Sequence, residues 1–307
     1  MLAKGNDRVS VSALQERLGE KFSYQTRRRL NMLRLTLRAP TAPIRMLPDF
    51  IVIGAQRGGT SSLFKYLSLH PEIAPSIRKE IEFFSRYRAE HGFGWYRSHF
   101  PLASSRARAE SAGRKLLTFE ATPTYLDHPH TAAQIAQAMP EVKLILLLRD
   151  PIARALSHHQ HMTRLRLETF PFAQAVRFEE ERIKEERSKV FSDPLYYSRP
   201  YTRYCYAYRG LYAKHLEGWL NHFPRDNFLF LRSEDFYSDP STTLGRILSF
   251  VGVDPQWRPA EFANYSYRHG PPAEYEDMDA PTRSYLADRF APHNQRLKDL
   301  LGPEFSW

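Results

Sequence analysis

The chain is predicted to fold as a single α/β domain. Its core is a P-loop-like parallel β-sheet flanked by helices on both faces, with a phosphate-binding loop after the first strand. Three observations predict this. Asp49 to Leu63 reads as a buried strand, a glycine turn and the start of a helix. Two more apolar runs of strand length follow, Val142–Leu148 and Phe228–Leu231. Helix-patterned segments separate them, and strands alternating with helices imply a parallel sheet covered on both sides.

The first element is basic. Residues 1–48 hold ten Lys/Arg and three Asp/Glu, a net of +7, whereas residues 49–307 carry a net of only +3. The overall charge of +10 therefore sits mostly in a leader, not in a nucleic-acid-binding body. Val11 to Leu37 reads as helical, with Leu14, Leu18 and Phe22 at spacing four. Pro40, Pro43 and Pro48 then break it. The expected division is a basic N-terminal segment with its linker over 1–48 and the main domain over 49–307. Weak contact of the leader with an anionic surface is the partner this charge suits. Cys205 is the only cysteine, which rules out an intramolecular disulfide. No secretory pattern and no run of 18 apolar residues is seen, so the expected location is cytoplasmic.

Ile51–Ile53 is the first strand, and Ser61 to Leu69 the helix after the loop, ended by His70-Pro71. Further helices are predicted over Thr131–Met139, from Ile152, and over Phe172–Arg187, Leu211–His222 and Ser241–Val251. Residues 177–187 form a charge run that reads as a solvated helix face with pairs such as Glu180–Lys184.

The loop carries the chemistry. Gly54 and Gly59 have Walker A spacing and Ser61 holds the Ser/Thr place, but Thr60 stands where the lysine belongs. An NTPase uses that lysine on its β- and γ-phosphates. Here Arg57 lies inside the turn instead, which predicts a phosphate-bearing nucleotide without γ-phosphate transfer. Ligands of open parallel sheets bind beyond the carboxyl ends of the strands, so Arg149, closing Val142–Leu148, is expected in the same crevice. Ser157 follows about two helical turns later. A guanidinium fork with a hydroxyl suits a phosphate monoester.

These segments resemble the sulfotransferases that use 3′-phosphoadenosine 5′-phosphosulfate (PAPS), over about residues 49–307. The stretch Gly54-Ala55-Gln56-Arg57-Gly58-Gly59-Thr60-Ser61-Ser62-Leu63 is similar to their 5′-phosphosulfate loop. Leu148 to His161 is similar to their 3′-phosphate motif, with Arg149 and Ser157 in the matching places. Lys79-Glu80-Ile81-Glu82-Phe83-Phe84, Glu120-Ala121-Thr122-Pro123-Thr124-Tyr125 and the end from Phe290 to Gly302 add to the likeness, which is strongest to the carbohydrate (heparan sulfate) branch and its bacterial relatives.

The resemblance implies transfer of a sulfuryl group from PAPS to a hydroxyl of a glycan or small metabolite, in line, without a metal, releasing 3′-phosphoadenosine 5′-phosphate (PAP). Arg57, Gly58, Gly59, Thr60 and Ser61 would hold the 5′-phosphosulfate, with Arg57 also offsetting charge on the bridging oxygen. Arg149 and Ser157 would hold the 3′-phosphate, and Arg268, before His269-Gly270, would clamp the nucleotide. Glu80 is the expected general base, its pKa raised by burial beside Ile81, Phe83 and Phe84. Glu82 competes, since alternation in an extended segment puts both carboxylates on one side.

Glu82 stands where many heparan-type relatives have histidine, and Ala121 where several have a catalytic lysine. The cysteine pair of many eukaryotic members is missing. His158 and His159 read as helix residues near the nucleotide. Seven tyrosines between Tyr196 and Tyr212, interleaved with Arg199, Arg203 and Arg209, read either as an acceptor surface or as core packing. Two other readings compete: a P-loop kinase or NTPase with Asp150 as its acidic residue, and a catalytically inactive PAP-binding module.

Overall fold

The structure, a computed structural model, describes residues 24–263, 265 and 278–307. A five-stranded, wholly parallel sheet forms the centre, in the order β2-β3-β1-β4-β5. The strands are β1 (Phe50–Gly54), β2 (Ile73–Pro75), β3 (Leu117–Ala121), β4 (Lys143–Leu148) and β5 (Phe228–Arg232). The predicted strands recur with ends shifted by a residue or so; β2 and β3 are additions.

Alternation along the strands splits the core into two layers. On one face Ile51, Ile53, Leu144, Leu146, Leu148, Phe228 and Phe230 are buried against Ile135, Leu216, Trp219 and Leu297. These come from α3 (Thr131–Ala138), α7 (Tyr212–Leu220) and α9 (Ala280–Leu301). On the other face Phe50, Val52, Phe119, Ile145, Leu147 and Leu231 meet Leu63, Tyr66 and Leu67 of α2 (Thr60–Leu69). Leu244, Ile247 and Leu248 of α8 (Pro240–Val251) complete that layer. Both faces are thus covered, which is why the strands read as continuous apolar runs.

Beyond the sheet, α4 (Pro151–Arg164), α5 (Phe172–Arg177) and α6 (Glu179–Ser192) enclose a third cluster with Tyr201, Tyr206, Tyr208, Leu286 and Phe290. The single helix expected over 172–187 is broken at Phe178. The charge run is also not wholly solvated. Glu179 is fully buried and accepts the N–H groups of Ala207 and Tyr208 at 2.6 and 2.7 Å. Glu180 pairs with Arg187, not Lys184.

The leader helix α1 spans Tyr24–Arg38; the part of the expected helix before it lies outside the described residues. The prolines that follow form a 3₁₀ turn, Ala39–Ile44, packed on the body. Arg45 Nη1 donates to the Phe100 carbonyl at 2.9 Å, and the Met46 N–H donates to that of Pro101 at 2.9 Å.

Candidate active site

The chain runs from β1 to the β2 edge, returns to β3, then crosses to β4 on the other side of β1. The carboxyl end of β1 is therefore the switch point of the sheet, where parallel sheets open a crevice. The loop 54–59 fills its floor. Gly58 packs so closely that a Cβ there would lie 2.4 Å from the Leu147 carbonyl oxygen, so only glycine fits. Arg57 and Gly59 take positive φ, 72° and 96°, which turns the chain sharply into α2. Three bonds hold the loop. Ala55 N–H donates to the Leu147 carbonyl at 2.8 Å, Ser233 Oγ to that of Gly58 at 2.7 Å, and Arg149 Nη1 to that of Arg57 at 3.2 Å.

Above the loop lies a cleft of about 470 Å³. Arg57, Gly59, Thr60, Ser61, Glu80, Arg149 and Ser157 all line it, from three separate stretches of chain. Arg57 Nε donates to Ser157 Oγ at 3.1 Å, so the loop and α4 are joined across the cleft. Gly58, packed against the Leu147 carbonyl, does not line the cleft. Arg268 lies outside the described residues.

Among the cleft residues without a role from sequence, three bear ionisable side chains. His161 and Arg164 project from α4, and Tyr237 comes from the short helix Ser233–Ser238 that follows β5. The first two carry a legible signal, since they recur four and seven residues after Ser157 on one helix face. Lys79 also lines the cleft and donates to Glu80 Oε1. Four side-chain cations and one carboxylate thus face one space. An anionic ligand is what this charge balance suits.

Glu80 sits just past β3, its N–H donating to the Ala121 carbonyl at 2.9 Å. Its pKa departs from the expectation. The side chain is half exposed, not buried as expected, and although the surrounding protein pushes its pKa up, the Lys79 ammonium, with His161 and Arg78 behind it, outweighs this and holds the carboxyl below the usual glutamate range. Nor do Glu80 and Glu82 share one side of an extended strand. Both have positive φ, 61° and 56°, so the segment kinks at each. Glu82 turns into a separate small hollow and pairs with Arg86 at 3.2 Å. Burial, then the charge of Glu80, raises its pKa.

A buried carboxylate anchors this segment from behind. Glu120 on β3 is fully buried and accepts hydroxyl bonds from Tyr96 at 2.7 Å, Thr122 at 2.7 Å and Tyr125 at 3.4 Å. Thr122 Oγ1 in turn accepts the Glu82 N–H at 3.4 Å. Desolvation pushes the Glu120 pKa up from 4.5 to about 7 despite these bonds. The folded state thus holds the proton more tightly than the unfolded chain. Stability is greatest below pH 4.5 on this account and declines as pH rises through about 7. The decline due to this group is about 3 kcal/mol, from a shift of that size. Urea unfolding of Glu120→Gln is expected to show that part of the slope removed between pH 5 and 8.

The histidines and tyrosines resolve differently. His158 is fully buried, and desolvation followed by nearby arginines keeps it neutral, with its pKa well below the ordinary value. His159 Nε2 lies 2.8 Å from the Phe170 carbonyl, and neither ring lines the cleft. Of the seven tyrosines, Tyr201, Tyr206, Tyr208 and Tyr212 are core. Arg209 is buried in an ion pair with Asp127 at 3.0 Å and donates to Gln56 of the loop. This segment serves mainly to pack the body and brace the loop. Asp150 caps α4, accepting the Ile152 N–H at 3.0 Å. Among the described residues no group of three or more His, Cys, Asp or Glu is placed to hold a metal ion.

A parallel α/β sheet with a P-loop-like turn at its switch point and a cationic cleft above it places the chain in the class of P-loop-like α/β proteins. Within that class, residues 47–268 match the family model described as the sulfotransferase domain, and the chain belongs to this family. By fold and by family it is a member of the sulfotransferases.

A sulfotransferase from Alicyclobacillus acidocaldarius, solved by crystallography, superposes with a TM-score of 0.63 at 29% identity, covering 83% of this chain and 96% of that one. Membrane-associated sulfotransferase kil1 of Dictyostelium discoideum is 28% identical, over 85% of this chain and 66% of its own length. Human heparan sulfate glucosamine 3-O-sulfotransferase 3B1 is 28% identical, over 86% of this chain and 65% of its own. The chain spans less than two thirds of the length of these curated relatives, and only 30% of human bifunctional heparan sulfate N-deacetylase/N-sulfotransferase 3.

Proposed function

We propose that the chain transfers the sulfuryl group of PAPS to an acceptor hydroxyl, with Glu80 as general base, and releases PAP. The observation that carries this reading is the convergence of Arg57, Gly59–Ser61, Arg149, Ser157 and Glu80 on one cleft. Arg57 and the N–H groups of the loop and the start of α2 take the 5′-phosphosulfate, where backbone donors and the helix terminus favour an anion. Arg149 and Ser157 take the 3′-phosphate. The acceptor oxygen attacks sulfur, its proton passes to the Glu80 carboxylate, and the bond from sulfur to the 5′-phosphate oxygen breaks. Negative charge then builds on that oxygen, where Arg57 opposes it. Lys79 competes for Glu80 and must yield its hydrogen bond as the acceptor hydroxyl arrives.

The acceptor is proposed to be a glycan or a small hydroxylated metabolite. The names of the heparan sulfate relatives favour a glycan. The kinase reading is weaker, because Thr60 stands in place of the lysine and Asp150 is engaged as a helix cap. The test is thermal unfolding with PAP, ADP and ATP–Mg²⁺, followed by PAPS turnover over glycans, phenols and lipid alcohols with and without EDTA. PAP at about 100 times its dissociation constant should stabilise the fold by roughly 2.7 kcal/mol, with ADP far weaker. Turnover should persist in EDTA. Preference for ATP–Mg²⁺ or a strict metal requirement would put the kinase reading first.

A further inference from the structure

We infer that α1 is a docking surface for an anionic lipid bilayer. The helix leaves large apolar side chains in water: Leu30 is 39% exposed, Leu33 56% and Leu37 71%. At 3.6 residues per turn these three fall within an arc of about 60°. Arg34 and Arg38 follow on one flank of the stripe and Arg29 on the other. Leu35, on the far side, is the buried contact of the helix. The helix carries five arginines and no acidic residue in its 15 positions. An apolar stripe edged with guanidinium groups is the pattern of a helix lying in a membrane interface, with leucines in the acyl boundary and arginines reaching the headgroups.

The charge decides among occupants. A second copy docked on the same stripe would bring the six flanking arginines of the two helices together with no acidic residue on either helix, and like charges at close range repel. A nucleic acid would use the arginines but leave the leucines in water. An anionic bilayer satisfies both. No helix among the described residues is long and apolar enough to cross a membrane.

The experiment is sedimentation of the full chain with vesicles of phosphatidylcholine alone or with a minority of phosphatidylglycerol. Binding is expected to be at least about tenfold stronger to the anionic vesicles and to weaken as salt shortens the screening length. The Leu33→Glu/Leu37→Glu variant alters exposed positions only. It should keep the wild-type unfolding temperature and lose binding by about tenfold or more. As a second measurement, the fluorescence of Leu33→Trp should shift to the blue on anionic vesicles. Equal binding to both vesicles, undiminished binding by the double glutamate variant, or unshifted tryptophan emission would overturn the inference. So would a dimer in light scattering that the same variant dissolves while wild type ignores vesicles, which would give the stripe to a second copy.

Discussion

Glu80→Gln is expected to lower the rate constant for transfer by about 10²–10⁴-fold while PAP affinity changes little. Glutamine keeps the size of the side chain and can still bond Lys79, but it cannot accept a proton. Glu82→Gln should have the smaller effect, because Glu82 turns away into its own hollow and is engaged by Arg86. The pH profile supplies a second reading. Since Lys79, His161 and Arg78 hold Glu80 below the usual glutamate range, the base stays ionised through mildly acidic pH. The acid limb of kcat/KM should therefore fall below the ordinary pH range of a glutamate, and Lys79→Met should move it upward. If Glu80→Gln turns over at a near-normal rate, the base is elsewhere. His161, the histidine that lines the cleft, is then the next residue to replace.

Arg149→Ala is expected to remove most of the preference for PAP over ADP. Only PAP carries the 3′-phosphate, and a charge-assisted bond to it is among the stronger contacts available. The variant should also weaken binding of both nucleotides somewhat, since Arg149 donates to the Arg57 carbonyl and steadies the loop. Comparison with Arg149→Lys separates the two effects: the ammonium restores charge but not the fork. Calorimetric titration of both ligands reads the ratio directly. A ratio unchanged in Arg149→Ala would place the 3′-phosphate away from α4.

Much of this architecture is legible in the sequence where burial is uniform. β1, β4 and β5 read as strands because both faces of the sheet are covered. β3 is hidden because Glu120 interrupts its apolar run. Its burial is made tolerable by the hydroxyls of Tyr96, Thr122 and Tyr125, all of them outside the strand. β2 has three residues, too few for any periodicity. The long α9 has Pro281 in its first turn and contains Pro292, which ordinarily signals a break. For the cleft, residue types and order point to Arg57, Arg149 and Ser157, because loop, strand end and helix face follow from local pattern. The positive φ at Glu80 and Glu82 does not follow from pattern, since extended alternation is the default for such a segment. That is why the two carboxylates read as neighbours and fold apart. The direction of the Glu80 pKa depends on His161, 81 residues away in the chain, as well as on adjacent Lys79.

The bond from Arg57 Nε to Ser157 Oγ has a consequence for how a ligand's length is judged. A hydroxyl that accepts from a guanidinium becomes a better donor, so an anion held by Ser157 is felt by Arg57 through that bond. On the proposed assignment, the cleft behaves as a calliper whose two jaws share one spring. A ligand carrying an anion at each end closes both jaws together, whereas inorganic sulfate, phosphate or a nucleotide truncated at either end engages one jaw and leaves the other slack. Discrimination against such fragments then exceeds the sum of the two separate grips. The crowd of small anions in a cell would compete poorly for a site that is, residue by residue, well suited to each of them.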